Sequence, residues 1–135
     1  MSEAERTLPR AIVAGHGEFA VGLVSAVSQI TGRGDAFVTM SNRDMSANDV
    51  ERALRDHIDA SGLEVIFTDL PAGSCTMAAR RLLRERPAIV LVTGTNLATL
   101  LDFVFHTDVP ASQAAQHAAE RGRAALVVTG APGGY

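Results

Sequence analysis

His16 stands between two glycines in "AIVAGHGEFA" (Ala11–Ala20), directly after an apolar run with strand character. Gly15 and Gly17 leave no bulky neighbour beside the ring, so another molecule can reach it. With one nitrogen unprotonated, imidazole is a nucleophile near neutral pH. A carboxylate that accepts the N–H of the other nitrogen fixes the tautomer and supports the charge that develops. Asp69, closing "LEVIFTD" (Leu63–Asp69), is the candidate carboxylate. The loop that follows, Pro71, Ala72 and Gly73, opens a helix whose unpaired N–H groups and positive dipole end suit a phosphate, with the Ser74 hydroxyl as a further donor. A surface histidine, an orienting aspartate and a phosphate-binding helix start together suit phosphoryl transfer through a phosphohistidine. That chemistry rests mostly on positioning and charge stabilisation.

Each residue also has a plainer reading. Asp69 can be a turn-former that bonds its own backbone, and Ser74 an N-cap, which does not exclude contact with a phosphate. Asn96 reads as a helix cap that helps shape the crevice. His57, His106 and His117 read as structural or solvated, because no two histidines share the i,i+4 spacing of a metal pair; no metal and no cofactor is expected. Cys75, the single cysteine, forms no internal disulfide and reads as a small packing residue. The basic run "ARRLLRERP" (Ala79–Pro87) reads as a solvated helix face, with a docking patch for an acidic partner as the sharper alternative.

Several classes fall away. The chain has no lysine and no G-x-x-x-x-G-K-[ST], which disfavours a nucleotide kinase, and "GHGEFA" is not a dinucleotide-binding fingerprint. A net charge of -3 leaves no electrostatic footprint for nucleic acid. The apolar runs are strand-sized, well short of the roughly 20 residues of a membrane span, and the polar start "MSEAERTLP" is no secretory signal. The cytoplasm is the expected compartment.

The elements that must position His16 and Asp69 follow from periodicity. At 135 residues the chain is one domain, read as a flexible tail over 1–8 and a folded unit over 9–135. Strands are predicted at Ala11–Gly15, Ala36–Met40, Leu63–Asp69 and Ala88–Gly94. Helical patterns follow each: Phe19, Leu23, Val27 and Ile30 up to Gly32; Val50, Ala53, Leu54 and Ile58 behind an N-cap in "SAND" (Ser46–Asp49) and before Gly62; Met77, Ala78, Leu82 and Leu83 from Ser74 to Arg86–Pro87; and Leu97, Leu100, Leu101 and Val104. Ser112–Arg121 is predicted as a fifth helix. "AALVVTG" (Ala124–Gly130) follows as a last strand-like run. This alternation predicts an α/β fold: a single-domain, doubly wound, mostly parallel sheet with helices on both faces and a possible antiparallel C-terminal strand. Ligands of such sheets sit at the carboxyl ends of strands, where the strand order reverses. Residues just after strands therefore matter most: His16, Asp69 with Ser74, and Asn96. His16 and Asp69 meet if the first and third strands are neighbours.

Three segments carry a resemblance: "AIVAGHGEFA", "VIFTDLPAGSCTMAARRL" and "LVTGTNLATLLDF". In order and spacing, from Pro9 to Gly130, the chain resembles the enzyme IIA domain of the mannose/fructose/sorbose class of the bacterial phosphoenolpyruvate-dependent sugar phosphotransferase system. The resemblance implies that His16 is phosphorylated by the phosphocarrier protein HPr and passes the group to a IIB component, with membrane permease components engaged only indirectly. It implies that Asp69 is the acid bonded to the histidine and that Ser74 is the hydroxyl at the helix start; Gly15, Gly17, Gly73 and Asn96, by their places after the strands, are read as phosphate-binding or loop residues. The family loop reads D-x-x-G-G-[ST]-P; here Ala72 replaces the first glycine and Cys75 the proline. The resemblance further implies a homodimer in which a C-terminal strand crosses to the partner's sheet. Two readings from other classes compete. One is a regulatory module of the same fold, sensing phosphorylation. The other is a small hydrolase or isomerase using His16 and Asp69, which requires a closed pocket.

Overall fold

Ala11–Gly15 form β1, five residues buried on both faces, as a central parallel strand must be. The computed structural model describes residues 9–130, so the predicted tail over 1–8 lies outside the described residues. Helix α1 (Phe19–Thr31) follows and ends at Gly32 in a left-handed conformation. A 3-10 turn (Gly34–Ala36) leads into β2 (Phe37–Ser41). Ala36 thus belongs to the turn rather than the strand, its N–H bonded to the Arg33 carbonyl.

Helix α2 (Ala47–Ser61) starts with the capping box read from "SAND": the Ser46 hydroxyl accepts from the Asp49 N–H while the Asp49 carboxylate accepts from the Ser46 N–H. Gly62 closes it. There follow β3 (Val65–Thr68), α3 (Ser74–Glu85), β4 (Val90–Val92), α4 (Leu97–Phe105) and α5 (Ala111–Ala124).

The four strands are parallel in the order β2-β1-β3-β4. Alternation along them feeds two cores. Ala11, Val13, Val65 and Phe67 pack with α1, α4 and α5, where Phe67 meets Phe103 edge-on at 5.1 Å between centroids. Ile12, Ala14 and Ile66 pack on the opposite face with Val50, Leu54 and Ile58 of α2 and Ala78, Ala79 and Leu82 of α3. The doubly wound sheet with helices on both faces is therefore present, with every pairing parallel.

Two expectations are corrected. Ile30 of α1 and Met77 of α3 are exposed rather than part of the apolar stripes of their helices. "AALVVTG" forms no strand among the described residues: Ala124 is the last residue of α5, Ala125 keeps helical angles, and Leu126, Val127 and Val128 are exposed. The run has strand-forming residues, but strand propensity needs an edge to pair with.

Candidate functional site

The strand order reverses between β1 and β3: the chain leaves β1 toward β2 on one side and β3 toward β4 on the other. The loops beyond these two strands diverge and leave a crevice at their carboxyl ends. His16 follows β1 and Asp69 follows β3, and the pairing of Ala14 with Thr68 brings the two together. The condition on which their meeting depended is met.

Asp69 Oδ2 accepts twice from His16, from the backbone N–H at 2.9 Å and from ring Nδ1 at 2.8 Å. Burial of Asp69 opposes its ionisation, but these two hydrogen bonds and the adjacent ring outweigh it and hold the carboxyl below the usual carboxylate range. An ionised carboxylate can only accept, so Nδ1 carries a proton, and in the neutral ring the lone pair is then on Nε2. The Asp69 side chain is 11% exposed and that of His16 is 51% exposed. The carboxylate is shielded while the imidazole is half exposed, an oriented ring at an open crevice rather than inside the closed pocket a small hydrolase needs.

The glycines allow this approach. A Cβ on Gly15 would lie 2.9 Å from Asp69 Oδ2 and 2.6 Å from the Phe19 ring, so any side chain there pushes the carboxylate off the histidine. Gly73, at φ 107°, would place a Cβ 3.2 Å from His16 Cε1; its bare backbone lets the start of α3 close against the ring. Gly17 turns the chain after His16, and the Arg43 guanidinium lies over that turn. Arg43 also pairs with Glu18 at 3.8 Å, an exposed contact of little energetic weight.

Ser74 does not cap α3. Gly73 is the N-cap residue and Ser74 the first helical one, so its side chain is freed from capping. Its hydroxyl instead accepts from Asn42 Nδ2 at 2.7 Å, which leaves the hydroxyl proton available to an incoming oxygen. Asn42 escaped the sequence reading although it stands just beyond β2, where the rule that selected the other site residues also points. Behind the loop, Thr76 Oγ1 donates to the Leu70 carbonyl at 2.6 Å, so the Thr68 hydroxyl must be the donor in the buried 2.7 Å contact between Thr68 and Thr76. This chain fastens the Asp69–Gly73 turn to β3. Thr76→Val keeps the shape but unpairs two groups at about 1–3 kcal/mol each, so a lower urea midpoint with an unchanged slope is expected. An unshifted midpoint would free the loop of this anchor.

Cys75 is buried, and burial together with the Asp69 charge pushes its thiol up to about 11. It packs with Ala78 and Leu82 as a small apolar residue and is no nucleophile at neutral pH. Asn96 caps α4: its Oδ1 accepts from the Thr99 N–H while Nδ2 donates to the Gly122 carbonyl of α5. These bonds fix the α4–α5 pair at the end of β4. The basic run is a solvated face whose Arg81 and Arg86 pair with Glu51 and Asp59 of α2. His106, four residues after Asp102, and His117 come together beside that carboxylate, and spacing along either helix does not reveal the approach of His117.

Fold and site define a doubly wound α/β domain with a carboxylate-bonded, half-exposed histidine at its switch point. The chain belongs to the family described as the PTS system fructose IIA component, whose sequence model matches residues 10–120. It is a phosphotransferase component, a phosphoryl carrier of the sugar phosphotransferase system. Among solved structures it is similar to the phosphotransferase system component EIIA from Streptococcus agalactiae, at 23% identity over 90% of this chain and 97% of that one, with a TM-score of 0.80. The mannose/sorbose-specific IIA subunit from Enterococcus faecalis superposes with a TM-score of 0.75 at 22% identity, covering 93% of this chain and 97% of its own. The PTS IIA protein associated with the fucose utilization operon of Streptococcus pneumoniae gives 0.76 at 20% identity, covering 90% and 93%. No curated protein matches the chain. Among the described residues no helix is long and apolar enough to cross a membrane.

Proposed function

We propose that His16 is the residue that carries the phosphoryl group, receiving it on Nε2 from the phosphohistidine of HPr and passing it to a IIB component in the cytoplasm. The observation that carries this reading is the 2.8 Å contact of Nδ1 with Asp69, which leaves the lone pair of the neutral ring on Nε2. In the transfer, the Nε2 lone pair forms the new P–N bond as the P–N bond to the donor ring breaks, and that electron pair returns to the donor nitrogen. His16 keeps its Nδ1 proton and becomes positively charged, and Asp69 stabilises that charge. The Ser74 hydroxyl and the first N–H groups of α3 take the phosphoryl oxygens, and Arg43 adds positive charge nearby. Asn96, spent on capping, stabilises the neighbouring loop rather than the phosphoryl group.

Partner docking draws on exposed apolar residues flanking the site in sequence: Val21 in the first turn of α1, Leu70 after Asp69, and Met77 in the first turn of α3. The test is intact-mass measurement after incubation with phosphoenolpyruvate, enzyme I and HPr. One added phosphoryl group, lost on acid treatment, supports the carrier reading; no gain with active HPr refutes it.

The homodimer belongs to the same proposal. Leu126, Val127 and Val128 are 86%, 70% and 71% exposed, and β4 stands last in the sheet order, with no further strand paired to its outer side among the described residues. A second copy's run pairing there buries both. Light scattering is expected to give twice the 14.2 kDa chain mass, and the double variant Leu126→Asp/Val127→Asp a single chain mass. A monomeric parent, or a dimeric variant, would remove the exchange.

A further inference from the structure

Asp102 on α4, His106 just beyond its end and His117 on α5 converge, each offering one donor atom within 4.8 Å of the others. Asp102 Oδ2 lies 2.7 Å from His117 Nδ1 and 3.5 Å from His106 Nδ1, and the two rings are 4.5 Å apart between centroids. We propose that these three residues form a binding site for a divalent transition cation of the zinc type, clamping α4 to α5.

The donor set is two imidazoles and one carboxylate, which suits zinc and its borderline neighbours and leaves a further position for water. Zinc bonds of about 2.0–2.2 Å place tetrahedral donors about 3.3–3.5 Å apart; the Asp102–His106 separation of 3.5 Å matches that spacing and the Asp102–His117 separation of 2.7 Å must widen to reach it. Small side-chain movements complete it.

An ordinary ion pair explains less. One carboxylate, its side chain 13% exposed, faces two imidazoles and also Arg121, whose Nε lies 3.8 Å from Oδ1. Arg121 is 69% exposed and can swing into solvent when a cation arrives. The backbone of His106 is held in place by its carbonyl, which accepts from Arg10 Nη1 at 2.9 Å, while in the cation-free state its ring Nδ1 donates to the Asp102 carbonyl at 2.9 Å. In the cation-free state the His117 Nδ1 proton points at Asp102. Binding through the two Nδ1 atoms requires that this proton and the one His106 Nδ1 gives to the Asp102 carbonyl both move to Nε2, with the cation taking their place.

The site is separate from the phosphoryl site. Arg10, which holds the His106 carbonyl, precedes β1, whereas His16 follows its other end. The test uses the full, tag-free chain stripped by chelator. Zn2+ is titrated against a chromophoric competitor and Co2+ is followed by its ligand-field absorption, with thermal unfolding recorded with and without ion. The expected result is one ion per chain, a raised unfolding midpoint and the absorption of a low-coordinate Co2+ site. The exposed His117 can be removed without disturbing the fold, and phosphoryl acceptance of the variant confirms that. His117→Ala is expected to weaken binding by at least about tenfold, the low end of what losing even an outer-shell partner costs. Asp102→Asn should do likewise, and His16→Ala should bind as the parent does. Absence of stoichiometric binding, or binding that survives His117→Ala, overturns the proposal.

Discussion

His16→Ala is expected to accept no phosphoryl group at all when incubated with phosphoenolpyruvate, enzyme I and HPr, under conditions that add one acid-labile group to the parent chain. The effect is expected to be total because in the proposed transfer Nε2 is the atom that bonds phosphorus, and alanine supplies no substitute. The buried Cys75 is held protonated, and the Ser74 hydroxyl accepts from the Asn42 amide, which is no base. The fold should survive. The ring is half exposed and its one recorded side-chain hydrogen bond is to Asp69, worth roughly 1–3 kcal/mol against a domain stability of about 5–15 kcal/mol. The His16 backbone N–H still bonds the carboxylate in the variant. Circular dichroism and the unfolding midpoint therefore remain close to the parent while the added mass disappears. A phosphoryl group persisting on the variant would place the chemistry elsewhere.

What the sequence made legible has local causes. A buried parallel strand is a short unbroken apolar run, so Ala11–Gly15 declared itself; the capping box at Ser46 and Asp49 and the helix-ending Gly32 and Gly62 are signatures within a few residues of one another. The meeting of His16 with Asp69 followed from topology, since parallel alternation leaves few strand orders and the order found puts β1 beside β3. Contacts across elements stayed hidden. Ser74 looked like a cap because the hydroxyl sits one residue from the true N-cap, a shift that only the angles of Gly73 reveal. Asn42 reaches Ser74 across 32 residues, and no periodicity encodes that.

The approach of His117 to Asp102 depends on how closely α5 lies on α4, and that closeness comes from small residues. Ala114, Ala115 and Ala118 are buried, and a Cβ on Gly122 would strike Thr99. The Leu126–Val128 run shows the opposite limit: strand propensity was readable there, whereas the edge it needs is not a local property.

Asp69→Asn is expected to slow transfer on the order of 10²-fold without abolishing it, the scale of losing one preorganised charge-stabilising group. The amide oxygen can still accept from the backbone N–H and from Nδ1, so the ring stays oriented and Nε2 remains the nucleophile. What disappears is the negative charge facing a ring that becomes cationic as the P–N bond forms. Single-turnover transfer from phospho-HPr measures this loss, and parental kinetics would release Asp69 from the mechanism. The same variant tests the linkage to pH. The folded-state pKa of Asp69 is held below its unfolded value of about 3.9, so between the two values the unfolded chain binds more protons and stability rises with pH. The contribution of Asp69 is thus complete above about pH 4 to 5 and is lost as pH falls through the depressed folded value. Asp49 and Asp59 are depressed in the same direction by Ser46 and by Arg86, so the parent curve alone cannot assign the effect. The difference between parent and Asp69→Asn midpoints isolates it: largest near neutral pH, shrinking as the solution is acidified below about pH 4. A difference that stayed constant with pH would mean that the carboxylate carries no net charge stabilisation in the folded chain, and the support it is expected to give the phosphorylated ring would go with it.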